Sequence, residues 1–376
     1  MAGAGHYLGF VLIGRLVQGI GASMTMANSY AIVTDIFPAN QLGRAFGIEG
    51  IFISLGALAG PGMGGIILAN LPWGYIFWIN LPLGLVCLIV GSITYPKQMK
   101  SKKQKIDWYG AITLGLAAVS LYILTMQINA SFVRMTALLI IFFGCGWWFI
   151  TVERKALRPL LNLTIFQNAV FSKSIIIAFI SFIVSYFFTI LAPLYLQLVL
   201  NYSTQFTGLL LMIAPLISIF ASPIAGYVSD RYNQKVEMTV GMVILIVAQL
   251  GLLFLTRRFE PYYFIAISAL ISIGTVTFGT PNNVLVMQSV PDKLRAMAGS
   301  TNSLVREFGL VLGTTISTLI FYRVLSLVGH QTVSTAIGVP ITAIMTAQRW
   351  TYAVGLLLLL VALLIIIHAI RKGLRK

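Results

Sequence analysis

Acidic side chains are scarce: nine Asp and Glu stand against 25 Lys and Arg in 376 residues, and only 9% of the chain is charged. So little charge beside 58% hydrophobic residues excludes an ordinary soluble protein. A single soluble core stops growing at about 250 to 300 residues, and the apolar surface left over needs lipid. Cysteine is equally sparse. Cys87 and Cys145 lie in apolar runs, with neither the paired spacing of a zinc site nor the number of a disulfide framework, and read as small packing residues. No H-E-x-x-H, G-x-S-x-G, Walker A or C-x-x-C signature occurs, which leaves an enzyme reading without chemistry. The opening "MAGAGHYLGF" lacks the basic start of a cleavable signal. No metal and no cofactor are expected. The segment "GPGMGG" at 60–65 has the G-x-G-x-x-G spacing of a dinucleotide site, but no strand precedes it and the next acid is Asp107, far beyond the roughly 20 residues that site requires.

What is present is a recurrence of apolar runs of roughly 20 residues, each able to cross a hydrocarbon layer of about 30 Å as a helix. Eleven are predicted, at 7–34, 43–69, 74–95, 108–127, 133–152, 170–200, 207–229, 237–256, 262–289, 297–325 and 349–370. The fold class is therefore an all-α membrane protein, since open sheets leave backbone groups unpaired in lipid. With "RKGLRK" at the C-terminus placed in the cytoplasm, nineteen of the 25 Lys and Arg fall at cytoplasmic connections, among them Arg44, Lys97 to Lys105, Arg154, Lys155, Arg158, Lys173, Arg231, Lys235, Lys293, Arg295 and Arg306. Only Arg134, Arg257, Arg258, Arg323 and Arg349 lie on the other side, and Arg15 lies within a span. That asymmetry is the positive-inside rule. The net charge of +16 follows the membrane rather than gathering on one face, which argues against a nucleic-acid partner and for the lipid bilayer. An inner (plasma) membrane location is expected. The basic connection 96–108 and the segment 153–163 divide the chain into three spans (1–95), a two-span insert (96–163) and six spans (164–376).

Helices in lipid gain little by hiding apolar groups from one another, so close packing relies on small residues. Gly56, Gly60 and Gly64 stand four apart on one stripe of a helix with about 3.6 residues per turn. Pro61 cannot donate to the carbonyl of Ala57, so a bend is expected there, and Gly62 and Gly65 remove further bulk. The stripe reads equally as a static packing seam and as a hinge. An internal echo supports two related halves. "FPANQLGRAFG" (37–47) enters a span carrying Gly56 and Gly60, and "VPDKLRAMAG" (290–299) enters one carrying Gly309 and Gly313.

These stretches also resemble a known family. "LGALAGPGMGG" (55–65) looks like the antiporter motif of drug exporters in the major facilitator superfamily, and "GRLVQGIGAS" (14–23) is similar to their fourth-helix motif, with Arg15, Gln18 and Gly19 in place. "WGYIFWINLPLG" (73–84) resembles their sixth-helix entry, although Gly74 and Tyr75 depart from the usual Arg-Trp. "GYVSDRYNQK" (226–235) looks like the cytoplasmic-turn motif of the second half, with Asn233 and Gln234 in place of Gly and Arg. With the two-span insert, the resemblance is to the fourteen-spanner drug:proton antiporters, and it implies the helical bundle of that superfamily with about 11 of its helices here, the first three being absent. It implies secondary active transport, proton-coupled efflux of small hydrophobic or cationic drugs, with protons as co-substrate. A carrier of one specific metabolite and a truncated, transport-inactive membrane protein are the alternatives.

Arg15 lies about eight residues, roughly 12 Å, into the first span, where a charge costs about 2.5 to 3.5 kcal/mol. It must meet a polar interior or a partner, and Gln18 shares its helix face. The resemblance implies a place near the proton pathway; a tie between helices is the structural reading. Asp230 ends a span and is expected to face the positive end of the next helix, with Asn233 in the left-handed conformation and Arg231 on the cytoplasmic side. The turn reads as a latch between halves or as a solvated turn. Tyr195, Gln197, Asn282, Asn283 and Gln288 are the polar groups on apolar helices that could contact substrate. Glu49, five residues past Arg44, is the candidate proton site, with a rim salt bridge or cap as the other reading.

Overall fold

The computed structural model describes residues 8–94, 107–126, 132–155, 159, 161–256, 261–329 and 335–373. Every regular element among them is helical. In chain order they are α1 (Leu8–Ile36), α2 (Leu42–Asn70), α3 (Tyr75–Trp78), α4 (Asn80–Thr94), α5 (Trp108–Met126), α6 (Phe132–Lys155), α7 (Ala169–Leu194), α8 (Thr204–Leu211), α9 (Ile213–Arg231), α10 (Gln234–Leu253), α11 (Tyr262–Gln288), α12 (Arg295–Gly329) and α13 (Ile341–Gly373). Ten apolar helical stretches among the described residues are long enough to cross a membrane, and a shorter one, Trp108–Ile123, lies where the fourth predicted span falls. Lys97 to Lys105, Arg158, Arg257, Arg258 and the C-terminal Arg375 and Lys376 lie outside the described residues.

Local chemistry sets the breaks. Asn168 starts α7 by accepting from the amides of Val170 (2.9 Å) and Phe171 (3.3 Å), and Ser203 starts α8 by accepting from Phe206 N. Pro193 cannot donate to the carbonyl of Thr189, and the chain after it widens into a π turn over Tyr195–Val199. The predicted span 207–229 is two helices, α8 and α9, which meet at Met212 just before Pro215. The last two predicted spans, 297–325 and 349–370, leave a gap longer than the one found, because α12 continues to Gly329 and α13 begins at Ile341.

The internal echo is present in the backbone. Pro38 (φ −66°, ψ 154°) leads through a 3₁₀ turn at Ala39–Gln41 into α2, and Pro291 (φ −59°, ψ 152°) leads through one at Asp292–Leu294 into α12. The side-chain environments differ. A Cβ added at Gly309 would stand 2.7 Å from Phe182 Cβ, and one at Gly313 would strike Ile183 O, both on α7. Gly56 and Gly60, their counterparts on α2, have nothing within 4 Å.

α7, α10, α11 and α13 pack around Ile177, Val184, Met242, Leu245, Phe278 and Leu359. A second cluster carries Phe187, Leu191, Tyr195, Phe264, Phe321 and Tyr352. A third joins the first spans to the last six through Tyr30, Leu42, Phe46, Phe171, Met287 and Ala298. Elsewhere apolar side chains face outward, Leu88 at 72% and Ile93 at 79% exposure on α4, as lipid contact requires. The tightest crossing among the last spans is α10 on α11, where a Cβ at Gly241 would lie 2.6 Å from Thr277 C and 2.8 Å from Phe278 Cα. Those atoms are backbone and cannot turn aside. Gly241→Leu is expected to cost more than the roughly 1 to 3 kcal/mol of ordinary overpacking, read as lost folded yield and a lower Tm in detergent; a Tm equal to wild type would refute this packing.

Candidate functional site

The seam between α1–α2 and the last six spans carries the polar groups that could work together. At one end, α2 begins against the end of α9. Asp230 Oδ1 accepts from the Gly43 amide at 2.7 Å, and Oδ2 accepts from the Arg44 amide at 3.0 Å. These amides belong to the first turn of α2, where the helix leaves N–H groups unpaired and its dipole is positive. Asp230 is thus the cap of a helix 187 positions away in sequence. Arg44 Nε lies 3.8 Å from Oδ2, with the Asp230 side chain 6% and the Arg44 side chain 50% exposed. Tyr227 offers its ring to both Arg44 (5.1 Å) and Arg231 (4.7 Å). The backbones come this close because Gly43 faces Gly226 and Gly47 faces Ser222 O.

Two expectations at this end are corrected. Asp230 bonds the first turn of α2 rather than that of α10, whose cap is Asn233, accepting from Lys235 N at 3.0 Å. Asn233 is extended (φ −71°, ψ 111°) and not left-handed, because a cap residue precedes the helical dihedrals. Gln288, a candidate substrate contact, bridges the seam in this arrangement. Its Nε2 donates to Ala39 O at 3.0 Å, adding a second bond across the seam.

Farther along the seam, Glu49 on α2 accepts a hydrogen bond from Ser29 on α1 and lies within electrostatic reach of Arg306, which was expected at a cytoplasmic connection and stands inside α12. Arg306 contacts Met26 Sδ at 3.0 Å and pairs with Glu307 at 3.2 Å. Ser303 donates to Met26 O at 2.8 Å, tying α12 to α1. Asn302 donates to Asn283 Oδ1 at 3.0 Å, and beside it Asn282 is buried with Oδ1 unpartnered. A cavity of about 260 Å³ between α1, α5, α6 and α12 is lined by Ser23, Met26, Ser303 and Glu307, with Leu114 and Phe149 from the insert. Two carboxylates, one guanidinium and several amides and hydroxyls therefore share one interface between the first spans and the last six. Such a set can exchange a proton and meet a cation.

Other candidates lie apart from this cluster. Arg15 donates to Gln18 Oε1 at 3.1 Å and sits over Phe77 at 4.7 Å; both it and Gln18 are exposed, as is Gly19. Gly56, Gly60 and Gly64 face open space, so the close approach of α2 is made by Gly43 and Gly47, toward its start. α2 runs unbroken through Pro61 and Gly65 to Asn70. Tyr195 is wholly buried, and its hydroxyl donates to Thr256 O at 2.9 Å. It is a core side chain here rather than a cavity wall. Gln197 is exposed on the adjoining π turn. Sequence reasoning missed Gly43, Gly226, Met26, Asn302 and Ser303. Only the small residues flanking Asp230 and Arg44 left a signal.

A helical bundle of membrane-length spans, with an acid of one half capping a helix of the other, defines a multi-pass membrane protein. The family profile of the Major Facilitator Superfamily matches residues 1–314, and the chain belongs to that superfamily. It is 28% identical over 322 residues to the riboflavin transporter RibZ of Clostridioides difficile, covering 85% of this chain and 70% of that protein. It is 28% identical over 327 residues to multidrug resistance protein 3 of Bacillus subtilis, covering 84% and 62%. With lincomycin resistance protein LmrB of Listeria monocytogenes the figures are 28% over 318 residues, 82% and 66%. The chain spans 62 to 70% of the length of these relatives.

Proposed function

We propose that the chain works in proton-coupled efflux of small hydrophobic or cationic compounds, as a fourteen-spanner drug:proton antiporter of the plasma membrane with its C-terminus in the cytoplasm. The three-span, two-span and six-span units are taken as its working parts, and the first and last rock about the seam to give alternating access. The observation that carries this reading is the seam itself, bonded at one end by Asp230 and carrying Glu49, Arg306 and Glu307 farther along. With the basic connections inside, the bonded end is the cytoplasmic one, and this conformation is closed there. Similarity to two drug-resistance proteins supports drug efflux. The equal identity to a riboflavin transporter supports the alternative, a carrier of one specific metabolite.

The test is everted vesicles given a fluorescent cation and an imposed pH gradient. Accumulation should vanish when the gradient is collapsed; accumulation that ignores the collapse defeats proton coupling. Within that reading Glu49→Gln is expected to lower gradient-driven accumulation at least about tenfold, about 1.4 kcal/mol of coupling, while substrate exchange without net proton flow continues. Loss of both activities together would instead make Glu49 a tie between α1 and α2.

A further inference from the structure

Away from the seam, a cleft of about 410 Å³ opens between α7, α10, α11 and α13, within the size range of small-molecule sites. Lys173, in the first turns of α7, and Lys235, at the head of α10, both line it, together with Ser174 and His368. Beneath them the wall is apolar, built by Ile177, Met238, Leu285 and Ile366. Among the described residues no acid lines the cleft, and neither lysine joins an ion pair. Val170 on its rim and Val236 beside Lys235 are exposed and apolar, so the mouth has an apolar border beside its two lysines. All four helices contribute the ends that share the side of Asp230 and Arg44.

Two ammonium groups facing one apolar cleft repel each other and lack a counter-charge. An anion with several oxygens relieves both, and an attached hydrocarbon chain covers the wall below. We propose that this cleft holds an anionic phospholipid of the leaflet on the Asp230 side, its headgroup phosphate between Lys173 and Lys235 and an acyl chain along Ile177 and Leu285. Basic pockets between spans on that side are suited to such headgroups. The neighbouring acid Glu237 lies on α10 but does not line the cleft, so it leaves the lysines free for the phosphate.

The experiment is native mass spectrometry of the purified chain with equal amounts of dioleoylphosphatidylglycerol and dioleoylphosphatidylcholine. The wild type should retain the anionic lipid about tenfold over the zwitterionic one, on the order expected of two lysines at a surface. Lys173→Gln with Lys235→Gln should bring the ratio near one, and the paired Arg variant should keep it. Ala369→Trp, which fills the cleft without changing charge, should lower the ratio equally and keeps the test decisive should the Gln pair not fold. Millimolar inorganic phosphate should leave the lipid in place. Equal retention of the two lipids, a preference that survives both the Gln pair and Ala369→Trp, or displacement by free phosphate would overturn the proposal.

Discussion

Asp230→Ala is expected to open the bonded end of the seam and to reduce transport by more than tenfold. The carboxylate accepts two amide hydrogen bonds from the start of α2, and a hydrogen bond to a charged group contributes about 1.5 to 3 kcal/mol. A loss of about 3 kcal/mol moves a two-state equilibrium roughly a hundredfold. Arg44→Ala should matter far less, because its guanidinium is half-exposed at 3.8 Å and such pairs contribute about 0 to 1 kcal/mol. Asp230→Asn retains one acceptor oxygen and should fall between them. The readout is thiol trapping with a short bismaleimide between Ala39→Cys and Gln288→Cys, at positions bridged by a 3.0 Å bond from the Gln288 side chain to the Ala39 carbonyl, in a background with Cys87 and Cys145 changed to Ser. A trapping yield in Asp230→Ala equal to that of the unmutated pair would sink the latch.

Gly226→Val should be the strongest steric lesion at the same place. A Cβ there would stand 2.5 Å from Gly43 O, 3.0 Å from Gly43 C and 3.1 Å from Arg44 Cα. Overpacking against side chains costs about 1 to 3 kcal/mol, but these atoms are backbone, so α2 and α9 must part. Parting them lifts the Gly43 and Arg44 amides from Asp230, so the steric and electrostatic losses arrive together. Gly60→Val is the control, because nothing lies within 4 Å of its Cβ. The expected pattern is a tenfold or greater fall in Ala39–Gln288 trapping for Gly226→Val and wild-type trapping for Gly60→Val. The reverse pattern would return the packing seam to the later glycines of α2.

Asp230 shows how far local reading goes. Its importance is visible in "GYVSDRYNQK", yet the nearest helix start in sequence is α10, and the carboxylate instead reaches one 187 positions earlier. Asn233, read as a turn residue, frees it to do so by capping α10 itself. Tyr195 illustrates the opposite case. A hydroxyl on an apolar helix looks alike whether it faces a cavity or a distant loop carbonyl, and only the π turn after Pro193 and the position of Thr256 distinguish them. Glu49 and Arg306 were each visible as isolated charges; that one lies within electrostatic reach of the other depends on how α2 and α12 are brought together.

Although several helix limits shifted once the chain was folded, the residues alone determine that this chain crosses lipid and about how many times, because hydrophobic length acts over a few tens of positions. They also carry the family resemblance. Which glycines touch, which carboxylate caps which helix and which asparagine is left with a bare oxygen are decided only when the helices pack. In a membrane the outer and inner faces of a span are both apolar, so periodicity cannot say which face meets protein and which meets lipid.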